Sequence, residues 1–294
     1  MQYTKLGNSD LNVSRICMGC MGFGDAANGQ HTWTLDDEHS REIIKRGLEL
    51  GVNFFDTAIG YQSGTSEQYV GRAVRDFAKR EDVVVATKFL PRTEDEIAAG
   101  ITGQQHIERM LNTSLSNLGL DYVDLYLIHW PAEGWQEAWA AMQELYAQGR
   151  MRAIGVSNFE RNHLTELLEQ TDVLPAVDQV ESSPTFPNQD LIDFCHGKDI
   201  AVEAWSPLGG TGGNLLTDQR LLDIGEKYGK SSAQVVLRWD LQRGVIPLPK
   251  SVHSTRIMQN IHVFDFELDE SEMQLISSLD TGKRNGADPN NFDF

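Results

Sequence analysis

The chain has 294 residues, a length that α/β barrels often reach as one domain. It carries 25 basic and 43 acidic residues, and the formal net charge of −18 disfavours binding to nucleic acid and to anionic membranes. Because no signal-peptide pattern, no long apolar run and only three cysteines are present, we expect a cytoplasmic protein without a membrane span or a disulfide framework.

Strand-like and helix-like segments alternate along the chain after a short N-terminal hairpin, which is predicted to turn at residues 8–10. The predicted strands are residues 15–19, 52–56, 83–88, 122–129, 152–157, 176–181, 200–205 and 245–249. The predicted helices are residues 36–50, 65–78, 102–118, 135–148, 160–170, 188–196, 217–228, 231–243 and 254–261. The C-terminal tail, residues 281–294, is rich in Gly, Asn and Asp, which predicts a loop.

This order predicts eight strand–helix units. Alternating strands and helices favour a parallel sheet with right-handed crossovers. Eight units in a chain of this length predict a closed (β/α)8 TIM barrel, formed by residues 1–294 as a single domain with a short N-terminal β-hairpin. Since chemistry in this fold takes place at the carboxyl ends of the strands, polar residues at those ends are the candidates for a site.

Polar side chains end three successive predicted strands. Asp56 ends the second strand, Lys88 the third and His129 the fourth, while Tyr61 follows in the loop after Asp56. We expect these four groups to meet at one rim of the barrel, because consecutive strands are neighbours. An ammonium kept charged by Asp56 is expected to lower the pKa of the Tyr61 phenol by about 2–3 pH units. The set would transfer a proton to an oxygen that gains negative charge, with His129 orienting a carbonyl.

The remaining strand ends predict a surface for a flat amide ring and for an anion. A ring such as nicotinamide would stack on Trp205, with its carboxamide held by Ser157, Asn158 and Gln179. In this strongly acidic chain a polyphosphate needs a local basic cluster. The loop after the last strand supplies one at the start of a helix, where anions are favoured. Its members are Lys250, Ser251 and Arg256.

Taken together, these motifs resemble the aldo-keto reductase superfamily. The matching pieces are FFDTA with Tyr61, ATK, LIHWP, GVSNF, the strand with Gln179, SPL after an aromatic residue, and IPLPKS followed by RIMQN and VFDFEL. They occur in the family's order over nearly the whole chain. The resemblance implies a (β/α)8 fold and reduction of aldehydes or ketones with NADPH as hydride donor and NADP+ as its product. It also implies a catalytic tetrad of Asp56, Tyr61, Lys88 and His129, with Tyr61 as the proton donor.

The resemblance also implies contacts with the cofactor and the substrate. The implied cofactor contacts are Met21, Asp56, Ser157, Asn158, Gln179, Trp205, Ser206, Leu208, Gly210, Lys250, Ser251, Arg256, Gln259 and Asn260. The implied substrate contacts are Phe23, Trp33, Tyr61, Phe89, His129 and Trp130. The chain departs from the family's pattern in two places. Glu67 follows Tyr61 by six residues, so that Tyr69 is a weaker second candidate for the acid, and Gln259 stands where the family often has Glu.

Two other functions compete with a reductase that acts on a small carbonyl compound. One is an NADPH-binding or redox-sensing barrel with slow chemistry that acts through a protein partner. The other is a metal-dependent barrel hydrolase. The sequence disfavours the hydrolase because His129 and Asp56 alone are available at the strand ends, so no metal site is predicted.

Overall fold

Eight parallel strands form one curled sheet in the described part of this computed structural model, which is residues 1–210 and 213–292. The strands follow one another in chain order, and the backbone N–H of Cys17 donates to the Pro247 carbonyl at 3.1 Å, which brings the first strand next to the last. The predicted (β/α)8 barrel is therefore confirmed. The strands are β3 (Met18–Gly19), β4 (Phe54–Asp56), β5 (Val84–Phe89), β6 (Val123–Ile128), β7 (Met151–Ser157), β8 (Val177–Glu181), β9 (Ala201–Trp205) and β10 (Ile246–Pro247).

The predicted N-terminal hairpin is present as β1 (Tyr3–Lys5) and β2 (Asn12–Ser14), which pair antiparallel. Its apolar side chains Leu6, Leu11 and Val13 are buried. They belong to the same apolar cluster as inward-facing residues of the barrel strands, such as Phe54 and Leu125. The hairpin therefore fills the barrel interior with apolar side chains at the amino ends of the strands, and polar chemistry is left to the opposite ends.

Helices surround the sheet, and each predicted helix is found. They are α1 (Asp37–Glu49), α2 (Thr65–Phe77), α3 (Glu94–Ala98), α4 (Gly103–Leu118), α5 (Trp135–Ala147), α6 (Arg161–Gln170), α7 (Gln189–His196), α8 (Gln219–Tyr228), α9 (Ser232–Gln242), α10 (Ser254–Ile261) and α11 (Glu270–Ser277). The sequence reading missed α3 and α11. Both begin with a capping box, at Thr93 and Asp269, but they are too short to show a clear 3.6-residue period.

The helices cover the outer face of the sheet with one large apolar layer. In α5 the predicted apolar stripe is buried at Trp135, Trp139, Met142 and Leu145, whereas Tyr146 at its edge is exposed. No helix in the described residues is both long and apolar enough to cross a membrane. Residues 281–292 contain neither helix nor strand, as predicted for the tail, whose last two residues, 293 and 294, lie outside the described part.

Gly71 allows α2 to approach the end of α4 closely. A Cβ at this position would lie 1.9 Å from the Leu118 carbonyl oxygen, a backbone atom that cannot rotate away. We expect Gly71→Ala to lower the free energy of unfolding by about 1–3 kcal/mol, as overpacking usually does. Urea denaturation measures this change. The matched control is Gly60→Ala, where a Cβ meets no atom within 4 Å, and equal midpoints for the two variants would contradict the expectation.

Candidate active site

The four polar groups predicted at the strand ends come together at the carboxyl ends of β4, β5 and β6. Lys88 Nζ donates to Asp56 Oδ1 at 2.7 Å and to the Thr57 carbonyl oxygen at 2.9 Å. It also lies 3.4 Å from the Tyr61 hydroxyl oxygen. The Tyr61 ring meets the His129 ring edge to face, with 5.7 Å between the centroids. Asp56, Tyr61, Lys88 and His129 therefore form one connected cluster.

A short 3-10 turn at Tyr61–Gly64 holds the phenol in this position. Gln62 and Ser63 in this turn have positive φ values of 48° and 53°, which cost free energy for residues with a side chain. The buried Gln62 amide offsets part of this cost by donating to the backbone carbonyls of Asp25 and His31 at 3.0 Å and 2.8 Å. The conformation of this turn is therefore fixed, and it places the Tyr61 hydroxyl next to Lys88.

Tyr69, the second candidate for the acid, lies elsewhere. It is part of α2, where its ring lies under the Arg72 guanidinium at 5.0 Å. The structure therefore favours Tyr61 over Tyr69 as the tyrosine of this site.

Lys88 is fully buried but remains charged. Burial by itself would lower the pKa of its ammonium, but the Asp56 carboxylate and the Tyr61 oxygen outweigh burial and raise the pKa above its ordinary value. A fixed positive charge therefore lies beside the phenol at neutral pH, as the sequence predicted.

The expected net lowering of the pKa of Tyr61 is wrong for this structure. Burial of the phenol raises the pKa above 10.0, and Lys88 lowers it only in part. Tyr61 is therefore a protonated phenol at neutral pH. The Lys88 charge beside it reduces the free-energy cost of a phenolate at this position.

His129 is a neutral imidazole in this cluster. Burial, and secondarily the charge of Lys88, lower its pKa to about 3. Since its ring carries one N–H and no charge at neutral pH, it can orient a carbonyl oxygen by a hydrogen bond but cannot act as a cationic acid.

The predicted ring-binding residues also lie together, at the ends of β7, β8 and β9. Trp205 Nε1 donates to Asn158 Oδ1 at 2.8 Å, and Asn158 Nδ2 donates to the His129 carbonyl oxygen at 3.0 Å. Ser157 Oγ donates to the Gln179 carbonyl oxygen at 2.8 Å. These contacts fix the orientation of the partly exposed Trp205 ring and connect it to the tetrad.

Gln179 connects the two halves of the site. Its side-chain nitrogen Nε2 donates to Asp56 Oδ2 at 2.9 Å and to Glu203 Oε2 at 2.7 Å. The sequence reading had not singled out Glu203. A signal was available, because Glu203 lies two residues before Trp205 in β9 and strand alternation places both on the same face.

The predicted basic cluster lies at the start of α10. Ser251 Oγ accepts from the His253 N–H at 3.1 Å and so shapes the first turn. Arg256 is exposed, and Lys250 Nζ lies 3.6 Å from the centroid of the Trp33 ring. Among the described residues, no carboxylate forms a salt bridge with Lys250 or Arg256. The charge of both side chains is therefore not neutralised by an acidic partner among these residues and is available to an anion.

The sequence profile of the Aldo/keto reductase family matches residues 15–281. This chain belongs to that family. It is 40% identical to the glyoxal reductase of Bacillus subtilis over 255 residues, 86% of this chain and 88% of the relative. It is 38% identical to the methylglyoxal reductase DkgA of Escherichia coli O157:H7 over 269 residues, 90% and 93% of the two chains. The crystal structure of a Bombyx mori aldo-keto reductase in complex with NADP has a TM-score of 0.82 and 30% identity, with 96% and 94% of the chains covered.

Six further residues are predicted to contact the cofactor of this aldo-keto reductase. Met21, Ser206 and Leu208 are partly exposed, Gly210 and Gln259 are exposed, and Asn260 is buried in α10. Ser206 follows β9 with a positive φ of 51°, which turns the chain sharply after Trp205. The sequence at residues 209–214, GGTGGN, is rich in glycine and indicates a loop, and residues 211 and 212 of this stretch lie outside the described part.

The predicted substrate residues of this reductase fall into two groups. Trp33 is exposed, and Trp130 is partly exposed, with its ring 5.1 Å from that of Phe292 in the C-terminal tail. The structure does not bring Phe23 and Phe89 to the site. Both rings are buried in the layer between sheet and helices. Phe89 stacks on Tyr126 in this layer, because neighbouring residues of a strand face opposite sides and Lys88 already faces inward.

Proposed function

We propose that this aldo-keto reductase reduces aldehydes or ketones to alcohols with NADPH, with Tyr61 as the proton donor. The observation that carries the proposal is the buried Lys88 ammonium, held between the Asp56 carboxylate at 2.7 Å and the Tyr61 hydroxyl at 3.4 Å. The names of the relatives, a glyoxal reductase and a methylglyoxal reductase, support carbonyl reduction. The NADP complex of the Bombyx mori protein supports the cofactor.

The residues present fit the two ends of NADPH. Both hydrogens of Gln179 Nε2 are donated to carboxyl groups, so the side-chain oxygen of Gln179 is left to accept a hydrogen bond from the carboxamide N–H of NADPH. The fixed Trp205 ring offers a flat surface for stacking. At the other end of the site, Arg256 and Lys250 lack acidic partners and can bind phosphates. When bound, NADPH supplies the hydride that reduces the carbonyl carbon.

Side chains of the protein transfer the proton and stabilise the negative charge that develops. Tyr61 O–H donates its proton to the carbonyl oxygen as that oxygen gains negative charge. The phenolate that results is stabilised by Lys88, whose charge is maintained by Asp56. His129 donates a hydrogen bond that orients the carbonyl oxygen. One hydride and one proton thus convert the carbonyl group to an alcohol.

A panel of carbonyl compounds tests this function directly. Simple aldehydes, α-dicarbonyl compounds and ketones are mixed with the protein and NADPH, and loss of the NADPH absorbance is followed with and without each compound. Oxidation of many equivalents of NADPH per protein is the expected result. Tight NADPH binding without multiple turnover on any of them would contradict the proposal and favour the redox-sensing barrel.

Arg256 is expected to select NADPH over NADH. Its exposed guanidinium has no acidic partner among the described residues, and a charge-assisted hydrogen bond to the 2′-phosphate is worth about 1.5–3 kcal/mol. Arg256→Ala should therefore weaken NADPH binding by about tenfold or more and leave NADH binding nearly unchanged. Dissociation constants come from quenching of tryptophan fluorescence.

The matched control for this prediction removes one positive charge far from the site. Lys5 is exposed in the N-terminal hairpin, at the amino ends of the barrel strands. Lys5→Ala should leave the dissociation constants of both dinucleotides nearly unchanged. Equal weakening of NADPH and NADH by Arg256→Ala would remove the assigned role in binding the 2′-phosphate.

A further inference from the structure

A second carboxyl group lies inside the barrel next to Asp56. Glu203 is fully buried in β9, and its Oε2 accepts from Gln179 Nε2 at 2.7 Å. Its other oxygen, Oε1, has no hydrogen-bond partner among the described residues. The second hydrogen of the same amide goes to Asp56 Oδ2 at 2.9 Å. Two carboxyl groups therefore hold one amide, each using one of its hydrogens.

The charges in this cluster balance only if Glu203 is neutral. Lys88 supplies one buried positive charge, and Asp56 pairs with it at 2.7 Å. An ionised Glu203 would be a second buried negative charge without a cation in contact with it, which is costly. Burial and the charge of Asp56 accordingly raise the pKa of Glu203 to about 8.

The other titratable groups near Glu203 are accounted for by burial and by strand alternation. Burial raises the pKa of the Cys17 thiol, just before β3, above its ordinary value of 9.0, so this thiol stays protonated at neutral pH. Asp178 precedes Gln179 in β8, so its carboxyl faces away from the cluster, where it accepts from the Phe159 N–H at 3.4 Å, and burial raises its pKa. The pKa values of Tyr61 and Lys88 are both raised above their ordinary values of 10.0 and 10.5. In this cluster Glu203 is therefore the group that loses its proton first as the pH rises above neutrality.

We propose that Glu203 is a positioning residue that orients the Gln179 amide as a neutral acid, and that its ionisation sets the alkaline limit of the reductase reaction. This inference rests on the proposed function. When Tyr61 gives up its proton, negative charge develops on the phenolate. A charge on Glu203, connected to Lys88 through Gln179 and Asp56, opposes that development and competes for the stabilisation that Lys88 provides.

Glu203→Gln tests the proposal through the pH profile of turnover. The replacement keeps the shape and a carbonyl oxygen that accepts from Gln179, but it cannot ionise. The wild-type kcat for an aldehyde should fall about tenfold above about pH 8. In Glu203→Gln the fall should move up by at least about one pH unit. An unchanged alkaline limb in the variant would overturn the proposal.

A second measurement needs no activity. The carboxyl of Glu203 has an ordinary pKa of 4.5 in the unfolded chain and about 8 in the folded protein, so the folded state binds more protons between these values. Wild-type stability therefore falls as the pH rises through this window, and the stability of Glu203→Gln does not contain this contribution. The urea midpoint of the variant should rise relative to wild type between about pH 5 and pH 8. A constant difference would mean that Glu203 is not a neutral acid.

Asp240→Asn is the matched control. Asp240 is buried in α9, outside the site, and burial raises its pKa to about 7. This variant should also show a pH-dependent stability difference, but its alkaline limb of turnover should match that of wild type. If the carbonyl panel shows no turnover at all, the proposed function fails and the pH limit with it, while the urea measurement still decides whether Glu203 is neutral.

Discussion

Tyr61→Phe is expected to reduce carbonyl reduction by about 10²–10⁴-fold, the usual contribution of a positioned general acid. The replacement removes one oxygen atom, which lies 3.4 Å from Lys88 Nζ, and keeps the ring that packs against His129. Because the Lys88–Asp56 ion pair does not depend on this oxygen, the fold and the cofactor surface should stay intact. Turnover is measured from NADPH absorbance, and NADPH affinity from quenching of tryptophan fluorescence.

A matched variant distinguishes the loss of the proton donor from a general effect of removing a tyrosine hydroxyl. Tyr69 lies on α2, away from Lys88, so Tyr69→Phe should retain turnover close to that of wild type. An NADPH dissociation constant that is unchanged in Tyr61→Phe would show that the loss belongs to the chemical step. Full turnover in Tyr61→Phe, or an equal loss in both variants, would contradict the assignment of the proton donor.

The positions of three polar residues of the site could be predicted from the sequence because two simple rules place them. Polar residues end the buried runs at Asp56, Lys88 and His129, and parallel strands bring such ends to one rim. The register confirms the geometry, since Asp56 pairs with Ala86 and Lys88 with Leu127 on adjacent strands. These positions depend on local patterns and on strand order, both of which can be read from one sequence.

The sign of the pKa shift of Tyr61 could not be read in this way. The sequence shows that a lysine charge lies near the phenol, but the opposing effect of burial depends on the whole surrounding structure. The predicted contact between Phe89 and the substrate is not found, for a simpler reason. Phe89 is adjacent to Lys88 in β5, so strand alternation turns its ring to the helices.

Contacts between distant parts of the chain could not be predicted from the sequence either. The buried Glu181 carboxylate accepts from the backbone N–H groups of Asn285 and Gly286 at 2.7 Å and 3.1 Å. These bonds join residues more than a hundred positions apart, and they place the tail against Trp205, which leaves no room for a Cβ at Gly286. No local pattern predicts such a contact, because it depends on how the tail returns across the barrel mouth.

The site contains one buried cation, the Lys88 ammonium, which contacts several hydrogen-bond acceptors. Lys88 contacts Asp56, the Thr57 carbonyl and the Tyr61 hydroxyl, so one ammonium links the strand ends to the Tyr61 phenol. Asp56 in turn accepts from Gln179, which contacts Glu203. A change in the charge of any of these residues should therefore change the free energy of the Tyr61 phenolate. A pair of substitutions that keeps the net charge constant should show separately the effects on stability and on activity.

Lys88→Met is expected to abolish measurable turnover and to lower the free energy of unfolding by about 3–5 kcal/mol, because it leaves the Asp56 charge buried without its partner. The pKa of Lys88 is raised in the folded state, so the stability that this proton contributes is fully present below the ordinary pKa of 10.5 and is lost as the pH rises above it. Urea denaturation at neutral pH, well inside that range, therefore measures the full effect.

The double variant Asp56→Asn/Lys88→Met decides whether the pair exists for stability or for catalysis. With both charges removed, no buried ion is left uncompensated, so much of the lost stability should return. Turnover should not return, because nothing remains to stabilise the Tyr61 phenolate. If the double variant were as unstable as Lys88→Met, Asp56 would not be the cause of the penalty. If it regained turnover together with stability, the cation would have no part in the proton transfer, and Tyr61 would act without it.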